Sequence, residues 1–141
     1  MARLYFAYGS NMDLEQMAER CPGSRALGPA RLDHWTLFPM SQGYATIQPR
    51  RGQAVHGVLW ELLPADERVL DGYEGVSGGW YVKRMVTTRP PSGRARRALV
   101  YVGSNKVEGS PKRPYWDLVL AAARHWNLPP DHLDRLGSFL R

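Results

Sequence analysis

Three groups of residues in this chain have the types and spacing to do chemistry on a small polar molecule. Glu74 stands in "LDGYEGVSGGW", between Tyr73 and Gly75 in a glycine-rich stretch. A carboxylate held beside aromatic rings is pushed toward its neutral form, so it can accept a proton and return it near neutral pH. Gly9-Ser10-Asn11 ends the apolar run "LYFAY" and leads at once into a helical pattern. Such a junction presents backbone N–H groups and two hydrogen-bonding side chains to an anion or a developing oxyanion. Gly9 lets the backbone approach a ligand closely. Tyr81, after Gly78-Gly79-Trp80, and Tyr115, after Pro114, could each lend a phenol to a substrate carboxylate or carbonyl.

Each group also has a plainer reading. Ser10, Asn11 or Asp13 can simply cap the following helix, and Asp13 would compete with a bound anion for the same donors. A loop glutamate is usually solvated, and a tyrosine at the start of a strand or helix usually buries its ring and turns its hydroxyl outward. Glycines flanking Glu74 argue for a constrained backbone there. Cys21 is the sole cysteine, so no internal disulfide forms; it lies at a helix end on an apolar face, where nothing lowers a thiol pKa. His34, His56, His125 and His132 lack the paired spacing of a metal site.

The elements that must position these residues follow from hydrophobic periodicity. "RLYFAYG" is apolar on both faces, as in a strand buried in mid-sheet. "MDLEQMAERC" predicts a helix with Leu14, Met17, Ala18 and Cys21 on one face and Asp13 and Gln16 at capping-box spacing. "RALGPARLDHWTLFPM" predicts a long strand interrupted near Gly28-Pro29, and "YATIQPR" and "AVHGVLWELLP" predict two more strands. A helix then begins at Pro64 with Val69, Leu70 and Tyr73 as its apolar stripe, and glycines break it into the Glu74 loop. "WYVKRMVTTR" and "RARRALVYVG" form a hairpin around Pro90-Pro91-Ser92-Gly93. An amphipathic helix with Trp116, Val119, Leu120 and Ala123 inward and a shorter final helix complete an α+β fold, a small mixed β-barrel with a few flanking helices.

With 141 residues, 43% hydrophobic and 23% charged, the chain reads as one globular domain over residues 1–141. No window approaches the roughly 18 apolar residues of a membrane helix. "MARLYFAYGSN" passes straight into patterned sequence without a signal-peptide cleavage site, which predicts a cytoplasmic protein. The net charge of +6 concentrates in "RPPSGRARR". A turn and the solvated start of a strand account for that stretch, no RNA-binding or recognition-helix pattern accompanies it, and no nucleic-acid partner is expected. A homodimer is compatible with the sequence but not legible in it.

The pairing of "YFAYGSNM" with "LDGYEGV" about sixty residues later, followed by "GGWYVKRMV", resembles the gamma-glutamylcyclotransferase-like family, which includes the AIG2-like proteins. "PKRPYWDLVLAAARHWNLPPDHLDRL" extends the resemblance over nearly the whole chain. The resemblance implies a small barrel flanked by helices, a cofactor-free cleft without a metal, and conversion of a small gamma-glutamyl compound to 5-oxoproline plus a free amine or amino acid. By position it implies that Glu74 is the catalytic acid/base, that Tyr5, Phe6, Ala7, Tyr8, Gly9 and Ser10 with the adjoining Asn11 form the substrate-binding loop, and that Tyr115 contacts the glutamyl end. Tyr81 falls where the family keeps a tyrosine. The chain is shorter than the animal members between Trp35 and "YATIQP", where the leaving-group side of the cleft is expected to differ. A binding or regulatory module on the same fold is the alternative.

Such chemistry suits the residues. The substrate's own α-amine attacks its γ-carbonyl, so the protein need only move a proton, hold the chain folded and stabilise an oxyanion.

Overall fold

The computed structural model describes residues 2–141. In chain order it contains β1 (Arg3–Ala7), a single 3-10 turn (Ser10–Met12), α1 (Leu14–Arg20), β2 (Arg25–Pro39), β3 (Ala45–Leu62), α2 (Pro64–Tyr73), β4 (Tyr81–Thr88), β5 (Arg96–Gly103), α3 (Arg113–His125) and α4 (Pro130–Ser138). The strands form one mixed sheet in the order β2-β3-β1-β5-β4. β1 runs antiparallel to β3 and parallel to β5, and β2–β3 and β4–β5 are antiparallel pairs.

Central placement explains why β1 is apolar on both faces: Tyr5, Phe6 and Ala7 are all buried. The sheet curls until its two edges nearly meet. Arg31, on β2, and Arg89, just past β4, exchange backbone hydrogen bonds of 2.9 and 2.8 Å. The result is the expected α+β architecture, with a curled, barrel-like sheet that does not close fully. α3 buries Trp116, Val119, Leu120 and Ala123 as the periodicity predicts, and Arg96 and Arg97 lie exposed at the start of β5. No helix among the described residues is long and apolar enough to cross a membrane.

Three expectations are corrected. β3 is one strand of 18 residues, not two. It carries an excursion: Asp33 pairs with Ala54 and Trp35 with Pro49, so residues 50–53 stand opposite His34 alone. His34 and Gly52 both adopt positive φ there, 67° and 84°, and the Gly52 N–H donates to His34 Nδ1 at 3.1 Å. On α1, Met17 and Cys21 are buried but Leu14 and Ala18 are exposed. Seven residues dock through a single i,i+4 row, and the next row, Gln16 and Arg20, turns toward polar partners. On α2 the buried row is Asp66 and Leu70, leaving Val69 and Tyr73 exposed. The sheet presents Arg3, Lys83 and the Tyr101 hydroxyl to this helix, and α2 rotates its Glu67 and Asp71 row to meet them.

Candidate active site

The sharp exit from α2 places Glu74. The Glu74 N–H donates to the Leu70 carbonyl at 2.8 Å, Gly75 N–H to Gly72 at 3.1 Å, and Val76 N–H to Asp71 at 3.0 Å. This crossed pair of bonds needs a left-handed residue just past the helix, and Gly75 supplies it with φ 62°. Glu74 therefore caps a fixed helix end and is not part of a free loop. Its side chain is half-buried and, among the described residues, accepts no hydrogen bond and forms no ion pair. Burial pushes its carboxyl up to about 7, opposed by the positive charge of Arg20. The negative end of the α2 dipole acts in the same direction as burial.

The opening hinge lies across the same cleft. β1 ends at Ala7, and Gly9 leads into the 3-10 turn, whose Met12 and Asp13 N–H groups bond to the Gly9 and Ser10 carbonyls. Asp13 caps α1, its carboxylate accepting from the Gln16 N–H at 2.9 Å. The plain reading thus holds for Asp13, while the intervening turn keeps Ser10 and Asn11 clear of that role. Asn11 is buried and locked: its Nδ2 donates to Tyr5 Oη at 3.0 Å, and its Oδ1 accepts from Gln16 Nε2 at 2.9 Å and Arg20 Nη1 at 3.1 Å. Gln16 Nε2 also donates to Ser10 Oγ at 2.7 Å.

Tyrosines make up most of the remaining wall. A Cβ at Gly9 would collide with Tyr115 Oη, so only glycine lets that phenol reach the hinge. Tyr81 Oη donates to the Ala45 carbonyl at 2.8 Å, and Tyr8 Oη to the Tyr101 carbonyl at 2.6 Å. Burial, reinforced by the nearby Glu74 carboxylate, raises the phenols of Tyr5, Tyr81 and Tyr115. At neutral pH they are neutral hydrogen-bonding groups. The cleft offers about 530 Å³, room for a dipeptide-sized molecule.

The sequence and the fold have counterparts among known proteins. Residues 5–126 match the family described as Gamma-glutamyl cyclotransferase, AIG2-like. The chain belongs to that family. It is 32% identical over 145 aligned residues to the gamma-glutamylcyclotransferases of Homo sapiens and Bos taurus, matching 96% of this chain and 77% of each relative. It also superposes on a solved gamma-glutamyl cyclotransferase with a TM-score of 0.90 at 30% identity, over 98% of this chain and 88% of that one. The protein is an enzyme of this type.

Of the residues singled out from sequence, Tyr5, Tyr8, Gly9, Ser10, Asn11, Glu74, Tyr81 and Tyr115 line one cleft of the enzyme. Phe6 and Ala7 do not. The Phe6 ring and the Ala7 carbonyl instead crowd Gly57 on β3, where a Cβ would strike both. Sequence reasoning missed Gln16, Arg20, Tyr44, Ala45 and Tyr101, which also line the cleft. Gln16 and Arg20 carry a legible signal, polar residues four apart beside the buried Met17 and Cys21. Tyr101 does not, because its place depends on the parallel pairing of Tyr5 with Leu99. Cys21 is buried, and burial followed by the Asp66 charge pushes its thiol up to about 11, which leaves it a poor nucleophile.

Proposed function

We propose that the enzyme closes a small gamma-glutamyl compound into 5-oxoproline and releases the amine or amino acid that was attached. The single observation carrying this reading is that Glu74, its carboxyl raised to about 7, lines the same cleft as the Gly9-Ser10 hinge. Ring closure requires those two parts. The substrate's α-ammonium must lose a proton before its nitrogen can attack the γ-carbonyl carbon, and a carboxylate poised near 7 takes that proton at physiological pH. As the new C–N bond forms, the carbonyl oxygen becomes negative, and polar hydrogens at the hinge stabilise it. The ring nitrogen gives up its second proton as the carbonyl re-forms and the old amide C–N bond breaks, so the departing nitrogen gains two protons in all, one of them returned by Glu74, and leaves as an ammonium.

Tyr115, held against Gly9, is placed to orient the glutamyl end, and Arg20 adds positive charge for an α-carboxylate. Holding both reacting groups of one molecule in attack geometry can supply roughly 7–11 kcal/mol of the barrier. The Glu74→Gln variant tests the assignment. It should fold and bind a gamma-glutamyl dipeptide but release 5-oxoproline at least about 100-fold more slowly, in line with the usual contribution of a general base. Release at the wild-type rate from the folded variant would remove Glu74 from the mechanism.

A further inference from the structure

A second cavity, of about 320 Å³, lies beside the first and shares Tyr44, Tyr73, Glu74 and Tyr81 with it. Glu74 thus stands on the boundary between two compartments. The hinge and Tyr115 belong only to the first, whereas Met40, Trp80 and Lys112 belong only to the second. The proposed reaction breaks one C–N bond, and the departing nitrogen must be within reach of Glu74 to receive its proton. With the glutamyl moiety beside the hinge, the group on the other side of that bond enters the second cavity.

The walls of this cavity have a definite chemistry. Trp80 is 56% exposed, an unusual position for a tryptophan unless something covers it. It is nonetheless held: its indole rests on the Gly75 turn, where a Cβ would approach Trp80 Cδ1 to 2.7 Å, and its backbone N–H donates to the Gly75 carbonyl at 3.1 Å. Tyr44 also lines the cavity, fixed edge-on to Tyr115 with ring centroids 5.2 Å apart. Met40 adds a polarisable apolar surface. Lys112 is the cation of this cavity. Its stem lies across Gly43, its ammonium sits 4.8 Å from the Tyr44 ring centre, and it has no acidic partner among the described residues.

We infer that this second cavity is the leaving-group subsite and that it selects an amino acid with an aromatic or large apolar side chain, seated against Trp80, Tyr44 and Met40, with its carboxylate on Lys112. The inference rests on the ring-closure reading above. It narrows the substrate class to gamma-glutamyl dipeptides of bulky apolar amino acids, and disfavours gamma-glutamyl polyamines and lysine side chains, whose extra positive charge Lys112 would repel.

The test compares gamma-glutamyl-phenylalanine, gamma-glutamyl-glycine and gamma-glutamyl-phenylalanine amide. It uses two readouts on the intact protein, 5-oxoproline release and equilibrium binding by calorimetry. The phenylalanine compound should exceed the glycine compound by roughly tenfold or more in kcat/KM and in affinity, as expected for filling an apolar pocket. Trp80→Ala should shrink that ratio. The amide should lose about threefold against the free carboxylate, the modest worth of an exposed ion pair, and Lys112→Met should abolish that difference. Equal turnover of the phenylalanine and glycine compounds, or a ratio untouched by Trp80→Ala, would overturn the subsite and leave ring closure standing. Preferential binding of the phenylalanine compound with no 5-oxoproline from any substrate would overturn ring closure and keep the subsite. Neither turnover nor preferential binding would overturn both.

Discussion

Glu74 can carry a proton because its charged form is poorly solvated where it stands. A carboxyl near 7 in the folded chain and near 4.5 in the unfolded one has two measurable consequences. The free enzyme should gain kcat/KM with rising pH along a limb of apparent pKa about 7, and a stopped assay of 5-oxoproline across pH 5–9 reads it. The second consequence is a cost. Between pH 4.5 and about 7 the folded state binds more protons than the unfolded one, so stability falls as pH rises through that window, by roughly 3 kcal/mol in all. Glu74→Gln should therefore raise the melting temperature at pH 8 and leave it nearly unchanged at pH 4, where both carboxyls are neutral. Gly9 gives a steric counterpart. Gly9→Ala should lower stability by about 1–3 kcal/mol in urea unfolding, because its Cβ meets Tyr115 Oη. Adding Tyr115→Phe should restore part of that loss by removing the colliding atom. At this scale the sequence was informative where a residue's role follows from its immediate neighbours, as for Glu74 between an aromatic and a glycine. It was silent on Tyr44 and Tyr101, which reach the cleft through a turn and a parallel strand pair that no local pattern encodes.

α2 shows how one element serves both stability and chemistry. Its Glu67 lies between Arg3 and Lys83, with Lys83 also 3.0 Å from Asp71, and Asp71 accepts from the Tyr101 hydroxyl at 2.7 Å. These contacts fix the rotation of the helix and hence where Glu74, the residue that caps its C-terminus, emerges. The hydrogen bond from Arg3, and the ammonium of Lys83, hold the Glu67 carboxyl down at about 2. Glu67 therefore stabilises the fold above about pH 4.5, and that contribution is lost as pH falls toward 2, the opposite trend to Glu74. Glu67→Gln should flatten the acid side of the melting-temperature profile, removing on the order of 1–2 kcal/mol after allowance for the partly exposed Arg3. Periodicity found this helix and its start at Pro64 but misjudged its buried face. Counting apolar residues gives no weight to cations waiting on the neighbouring sheet. The same blindness misplaced Leu14 and Ala18 on α1, whereas α3, packed by Trp116 and its aliphatic neighbours, was read correctly.

For the molecule as a whole, β1 is the member on which the rest is assembled. It pairs with β3 on one side and β5 on the other, and its end delivers the hinge to the cleft. Phe6, fully buried and absent from the cleft, should act through this framework alone. Phe6→Ala should cost about 3–5 kcal/mol in urea unfolding. Any chains that remain folded under assay should keep the wild-type KM. The mixed, barrel-like outcome was foreseeable from a doubly apolar first strand followed by several further strands and only a few helices, yet the union of two predicted strands into β3 was not. Gln48-Pro49-Arg50-Arg51-Gly52 reads as a break, and only the pairing on both sides of it keeps the strand continuous. The excursion at residues 50–53 thus stands outside the ladder while the ladder resumes in register beyond it. None of these four residues lines the cleft that holds Glu74. Extra chain spliced in there would lengthen a bulge without shifting a single strand pair, which makes it a natural port for a tag, a fluorophore or an inserted domain that reports on the enzyme without touching its chemistry.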